Sequence, residues 1–380
     1  MPCAGCRAEQ SKFSTENYVY ILRRAIQREA CSFKFYSDIY CWYTIPMIKV
    51  GVIRGGVSGE SEVSLASGAQ VLSHLRSDAL NSKYSAIDIF IDRDGVWHIN
   101  GIPISIDQVA HKVDVIINAL HGDYGEDGKV QQLLEQWGIP YTGSGPFASA
   151  IGYNKYLAKE EFTKLGINTP KHILFPVYQD DFDGPKDEYP TKKAKEVWER
   201  LPPPWIVKPL TGGSSMGVHV CKTFQSLVSA FQIGMNENVS VLVEEFIKGK
   251  EATVGVIDNF RKKKIYTLPP IEIRIPKTST FFDNDVKYNG KSQEICPGNF
   301  TSDEKEKLEY LATIIHKGLD LSHYSRSDFI IHPKKGIYAL EVNTLPGLTD
   351  QSLMPKAIIA VGSTMPEFIE HIIKLALNRK

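Results

Sequence analysis

Ser325-Arg326-Ser327-Asp328-Phe329-Ile330-Ile331, the turn His332-Pro333-Lys334-Lys335-Gly336, and Ile337-Tyr338-Ala339-Leu340-Glu341-Val342-Asn343-Thr344-Leu345-Pro346-Gly347 decide how this chain is read. The flanking runs are β-branched and aromatic, as strands require, and the intervening Pro and Gly make a turn. Closed symmetrically around that turn, the hairpin sets Asp328 opposite Glu341, with Asn343 two residues on and on the same face. Facing carboxylates repel across a sheet. A hard divalent cation with oxygen ligands removes that repulsion, and an Asp, a Glu and an Asn on one face suit Mg²⁺ with nucleotide phosphates. The alternative reading is a solvated hairpin face with unpaired acids.

Outward from the hairpin, 380 residues exceed one ordinary core, so two or three domains are expected. With 44 basic and 44 acidic residues the formal net charge is zero, and no broad basic field invites nucleic acid. No apolar run reaches the ~20 residues that span a bilayer, and the N-terminus lacks the apolar centre of a signal peptide. A cytoplasmic protein without membrane or nucleic-acid partners is expected. Cys3, Cys6, Cys31 and Cys41 cluster near the start. The second pair lacks zinc-knuckle spacing, so reduced thiols are expected rather than a metal site.

Residues 1–46 hold no sustained period, at most one helix around residues 18–29. Met47-Ile48-Lys49-Val50-Gly51-Val52-Ile53 then begins abruptly as a buried strand. The upstream segment is therefore read as a peripheral extension or the product of an early start codon. Beyond it, strands and helices alternate. Residues 50–53 and 87–91 read as strands, and 113–119 is apolar enough for the centre of a parallel sheet. A helix over 128–137 ends at Gly138, and another over 148–165 ends at Gly166. Residues 179–204 form a polar insertion. Strands over 205–208 and 218–221 flank Thr211-Gly212-Gly213-Ser214-Ser215-Met216-Gly217, and 241–244 is a further strand. Two helices close the chain, and no internal repeat is visible.

The glycine loop at 212–217 joins strand to strand, unlike the strand–loop–helix of a Walker or dinucleotide site. Its glycines admit phosphate to the backbone, Ser214 and Ser215 add donors, and Lys208 supplies a point charge. By itself such a hairpin is an ordinary mobile loop; beside a metal hairpin it becomes an ATP grip. Gly55-Gly56-Val57-Ser58-Gly59-Glu60 follows the first strand, where open α/β sheets place ligands. Glu60 suits an ammonium group there, or serves only to lead a helix. His121-Gly122-Asp123-Tyr124-Gly125 is a second strand-end glycine loop. Residues 281–290 read as a lid or a solvated loop.

Together these segments resemble the D-alanine–D-alanine ligases of the ATP-grasp superfamily. The resemblance covers residues 47–380 and rests on eight ordered motifs: GGVSGESEVSLASG, HGDYGEDG, YTGSG, VKPLTGGSSMG, VLVEEFIKGKE, TFFDNDVKY, SRSDF and EVNTLPGLTDQSL. It implies an α/β N-terminal parallel-sheet domain over 47–145, then a two-domain, α+β ATP-grasp part with a central domain over 146–243 and a C-terminal domain over 244–380. It implies that Lys155 and Lys208 hold ATP phosphates under Ser214 and Ser215. Glu244, Glu245 and Ile247 would hold adenine, largely through backbone groups, and Glu251 the ribose. Asp328, Glu341 and Asn343 would bind two Mg²⁺ (or Mn²⁺). Glu60 would take the ammonium of the first D-alanine with His121 nearby, and Lys287, Ser352 and Leu353 the carboxylate of the second. Arg326 and the amide of Gly347 would stabilise the tetrahedral intermediate, while Tyr288 links to Ser214 and Glu60 under the closed lid. A homodimer is the implied assembly.

The implied reaction makes D-alanyl phosphate from ATP and lets a second D-alanine displace phosphate, for peptidoglycan precursors. Joining D-alanine to D-lactate or D-serine is the nearest alternative. Tyr288 stands against the lactate form, whose lid usually carries His there. A catalytically inactive nucleotide-binding regulator is the alternative from another class, opposed by the joint presence of Arg326, Asp328, Glu341 and Asn343. Residues 1–46 have no family counterpart, the 179–204 insertion is longer than usual, and Glu245 replaces a lysine of some members.

Overall fold

The structure, a computed structural model, describes residues 47–213, 216–274 and 293–379, which fall in one unit. Expectations for residues 1–46, Ser214, Ser215, Lys287 and Tyr288 lie outside the described residues.

The first layer is built on β1 (Ile48–Gly55), whose Val50, Val52 and Ile53 are fully buried. Helix α1 (Ser61–Leu75) packs its Val71, Leu72 and Leu75 against it. Strands β2 (Tyr84–Ile91), β3 (Trp97–Ile99) and β4 (Ile102–Pro103), the short α2 (Ile106–Ala110) and β5 (Val115–Asn118) follow. The sheet order is β4-β3-β2-β1-β5, parallel from β2 through β1 to β5 and antiparallel at β3 and β4. The most apolar strand, expected at the centre, therefore lies at the end of the order. An isolated parallel bridge from Ile116 to Tyr141 flanks it, and cores on both faces explain its composition.

Helix α3 (Lys129–Gln136) ends at Trp137, with Gly138 at φ 61° as the expected cap. The single helix expected over 148–165 is two, α4 (Pro146–Tyr153) and α5 (Lys155–Lys164). Asn154 divides them. Its backbone is extended, and its side chain accepts from the amides of Tyr156 and Leu157, each at 3.1 Å. This N-cap satisfies donors that would otherwise be orphaned and leaves Lys155 as the first helical residue.

The second sheet runs β6 (His172–Phe175), β9 (Val241–Glu245), β7 (Trp205–Pro209), β8 (His219–Cys221), all antiparallel. Within the expected polar insertion lie α6 (Asp180–Asp183) and α7 (Tyr189–Arg200). The latter buries Tyr189, Ala194 and Val197, so it closes the core beneath this sheet together with α8 (Phe224–Asn236). Its charges mask that inward stripe in the sequence.

The third sheet carries β10 (Lys250–Asp258), β11 (Ile265–Thr267), β12 (Ile271–Arg274), β13 (Gln293–Ile295), β14 (Tyr324–His332) and β15 (Gly336–Asn343), in the order β13-β12-β10-β14-β15 with β11 on β10. Helix α9 (Ser302–Gly318) covers it. Helices α10 (Leu353–Ala360) and α11 (Met365–Leu377) return to the first sheet, where Phe368, Ile369 and Ile372 share a core with Val50 and Val115.

Asp328 does pair with Glu341, but not by symmetric closure. The turn pairs His332 with Gly336 and Phe329 with Ala339, a register that would bring Asp328 against Leu340. A bulge at that point adds one residue to β15 and restores the facing carboxylates.

Candidate active site

A cleft of about 870 Å³ opens between the second and third sheets. It gathers ten of the expected residues: Lys155, Lys208, Glu244, Glu245, Ile247, Glu251, Arg326, Asp328, Glu341 and Leu353. They come from two helix starts, five strands and a strand-to-strand turn, which is why no single stretch of sequence contains the site.

On the β14–β15 face, Arg326 forks onto Asp328 with Nε 3.0 Å from Oδ1 and Nη2 2.9 Å from Oδ2. Asn343 Nδ2 donates to the same Oδ2 at 3.2 Å, and Thr253 Oγ1 of β10 donates to Oδ1. Residues two apart on a strand share a face, so Arg326 and Asp328 meet for the reason Glu341 and Asn343 align. Burial opposes charge on Arg326, but Asp328 more than offsets this and leaves the guanidinium raised. Glu251, on β10 beside them, is pushed up to about 7, first by burial and then by the negative charge of Asp328. Such crowding of acids marks a place where added positive charge is favourable.

Among the described residues no group of three His, Cys, Asp or Glu side chains is arranged to hold a metal. The set here is two carboxylates and an amide. Mg²⁺ is commonly held by one or two carboxylates plus substrate phosphates, so Asp328, Glu341 and Asn343 fit that ion.

Across the cleft, Lys155 begins α5. Its amide bonds Leu210 O at 3.1 Å, and its ammonium donates to Gly212 O of the glycine loop. Burial lowers its pKa, with the charge of Glu341 acting against that. Lys208, on β7, lies 2.8 Å from Glu244 Oε1. Glu244 is only 2 % exposed; burial would raise its carboxyl, but Lys159 and Lys208 hold it below its ordinary value. Neighbouring Glu245 instead accepts from the Lys171 amide at 2.9 Å.

Glu60, His121, Asn343, Gly347 and Ser352 are not on the cleft lining. Asn343 joins it through Asp328, and the others form an adjoining group at the end of the first sheet. Glu60 Oε2 would lie 3.1 Å from a Cβ at Gly122 and 2.9 Å from one at Gly213, so it sits between the two glycine loops. His121 bonds Ser67 Oγ at 2.9 Å, and Leu348 N reaches the same oxygen at 3.4 Å. A Cβ on Gly347 would stand 2.8 Å from Ser352 Oγ. Ser352 is the N-cap position of α10, and Leu353 starts that helix.

Three side chains were missed from sequence: Lys159, Thr253 and Ser67. Lys159 follows Lys155 by four positions, the spacing that sets two side chains on one helix face. That was an available signal. Thr253 and Ser67 give none, because only the fold brings them to Asp328 and His121.

The chain is similar to known proteins in sequence and fold. The family profile described as D-ala D-ala ligase C-terminus matches residues 162–374, and that described as D-ala D-ala ligase N-terminus matches residues 102–144. The chain is 37% identical over 327 residues to a D-alanine–D-alanine ligase of Geobacter sulfurreducens, covering 86% of this chain and 93% of that one. The crystal structure of VanG D-Ala:D-Ser ligase from Enterococcus faecalis matches with a TM-score of 0.73 at 28% identity, covering 87% of this chain and 99% of that one. That of the D-alanine–D-alanine ligase from Bacillus anthracis gives 0.69 at 32% identity, covering 87% and 97%. With both family profiles matched in order and relatives aligned over nearly their whole length, this chain belongs to the D-alanine–D-alanine ligase family and has its ATP-grasp fold.

Proposed function

We propose that the chain ligates two D-alanines into D-alanyl-D-alanine at the expense of ATP, supplying a peptidoglycan precursor. The observation that carries this is the cleft itself, with Lys155 and Lys208 on one wall and Arg326, Asp328 and Glu341 on the other. Both walls suit a polyphosphate and its counter-ions. Residues 47–145 form the amino-acid domain, 146–243 the central domain and 244–380 the C-terminal domain, with residues 1–46 as an extension.

A carboxylate is a poor electrophile, so the first D-alanine takes the γ-phosphate of ATP and becomes an acylphosphate. The amine of the second then displaces phosphate, leaving the dipeptide and ADP. Lys155 and Lys208 meet the phosphates, while Ser214 and Ser215 close over them. Glu244, Glu245 and Ile247 bound the adenine and Glu251 the ribose. Asp328, Glu341 and Asn343 would hold two Mg²⁺ or Mn²⁺, which supply neutralisation of phosphate charge. Glu60, with His121 behind it, receives the first ammonium, and Lys287, Ser352 and Leu353 the second carboxylate. Arg326 and the Gly347 amide face the oxygen that gains charge as the amine attacks. Tyr288 joins Ser214 and Glu60 over the closed site, keeping water from the acylphosphate.

A homodimer in the cytoplasm completes the proposal; among the described residues no helix is long and apolar enough to cross a membrane. Phosphate release with D-alanine alone, then with D-serine or D-lactate added, tests it. Release with D-alanine alone and a D-alanyl-D-alanine product is expected. Product only with an added second acid would move the assignment to a mixed ligase, and no release at all would favour a nucleotide-binding regulator.

A further inference from the structure

Lys159 takes no part in the chemistry above, yet it is a fully buried cation (0 % exposed) one turn behind Lys155. Its Nζ lies 3.1 Å from Glu244 Oε1, and Lys208 Nζ lies 2.8 Å from the same oxygen. One carboxylate oxygen is thus within ion-pair distance of two ammonium groups. Glu244 and Lys208 line the cleft, whereas Lys159 does not. Lys159 also donates to Thr169 Oγ1 at 3.0 Å, and that hydroxyl donates to Ala339 O of β15 at 2.9 Å.

We propose that Lys159 is a positioning residue for nucleotide binding, sharing Glu244 with Lys208 so that Lys208 keeps a net positive charge toward the nucleotide phosphates. This rests on the reading of Lys208 as a phosphate lysine. The charge count is the core of the inference. Two lysines and one glutamate leave the group at +1, whereas Lys208 and Glu244 alone form a neutral buried pair. In that pair the carboxylate holds the ammonium against the phosphates rather than presenting it to them. A purely structural role, bolting α5 to β15 through Thr169, predicts something different.

Lys159→Met separates the two. The side chains are similar in length, Glu244 keeps Lys208 as its counter-ion, and the Thr169 hydroxyl still donates to Ala339, so no buried charge is stranded. Calorimetric titration of the full chain with ADP in magnesium buffer, and separately with adenosine, reads the effect. ADP binding is expected to weaken on the order of tenfold, as for one unit charge acting across roughly 10 Å in a partly buried site. Adenosine binding is expected to stay within about twofold. Equal weakening of both ligands, or ADP binding within twofold of the parent, overturns the proposal. Should Lys159→Met fail to fold, Lys159→Gln keeps a donor for Thr169 without the charge, and the same ADP-selective loss is required of it. Lys208→Met is measured alongside. If it binds ADP normally, the phosphate reading of Lys208 falls and this proposal with it; if it weakens ADP while Lys159→Met does not, this proposal falls alone.

Discussion

Glu251→Gln should change how the stability of this protein depends on pH. Glu251 is held at about 7 against an ordinary 4.5, first by burial and then by Asp328. A carboxyl raised in this way keeps its proton in the folded chain after the unfolded chain has lost it. Below about pH 4.5 both states are neutral there and Glu251 costs nothing. As pH rises toward 7 the unfolded state is progressively favoured, and above 7 the full penalty stands. At 1.36 kcal/mol per pH unit that penalty is about 3 kcal/mol, of which about 2.5 falls between pH 5 and pH 8. A unit of this size melts with an entropy near 0.7 kcal/mol per degree, so the shift is about 4 °C. Thermal unfolding of parent and variant at the two pH values, without nucleotide and with a chelator, is the assay. The variant should gain about 4 °C on the parent between pH 5 and pH 8. A difference constant to within 1 °C would refute the claim that burial beside Asp328 raises Glu251.

Glu341→Gln should abolish turnover yet leave the melting temperature within about 2 °C, because it removes one of two opposed carboxylates without removing core volume; activity within twofold of the parent at saturating Mg²⁺ would sink the metal assignment. Asn154→Ala deletes the cap of α5 and should cost about 1 kcal/mol in urea unfolding, with a raised KM for ATP because Lys155 opens that helix. An unchanged KM would show that the cap does not place Lys155. Gly255→Ala sets a Cβ 2.7 Å from Met354 Sδ and 2.8 Å from Leu268 Cδ1, an overpacking expected to cost about 1–3 kcal/mol; unaltered denaturation would contradict it. A chain beginning at Met47 should retain activity, since the first sheet starts there with its own core. A melting temperature more than about 5 °C lower would show that residues 1–46 contribute to that stability.

The β14–β15 hairpin was legible because its signals are local: β-branched strands, a Pro-and-Gly turn, and polar residues two apart. Even so, its register came out right only through the bulge opposite Phe329, which no turn residue announces. The glycine loop was legible for the same reason, as a turn between strands that do pair, Trp205 with Cys221. What stayed hidden depends on partners far along the chain. Residues 113–119 look central by composition, but only the packing of α11 on one face and α3 on the other reveals that an end strand can be covered on both. Helix α7 carries so many charges that its inward stripe of Tyr189, Ala194 and Val197 is drowned.

Lys159 is the sharpest case of that limit. A lysine on a charged helix is ordinarily solvated, and burial of an ammonium is costly enough that sequence reasoning rightly sets it aside. The fold reverses the odds by delivering Glu244 from a strand 85 positions away. Burial pushes the Lys159 ammonium down to about 8, with Lys208 adding to that and Glu244 opposing it. The chain thus tolerates a buried cation whose loss would strand no charge. Replacement by an apolar side chain of similar shape is often neutral or stabilising in such settings. If Lys159 contributed only to stability, there would be little physical reason for an ammonium at this position. Its placement behind the pair that lines the cleft is better accounted for by what the charge does to the neighbours that face the nucleotide.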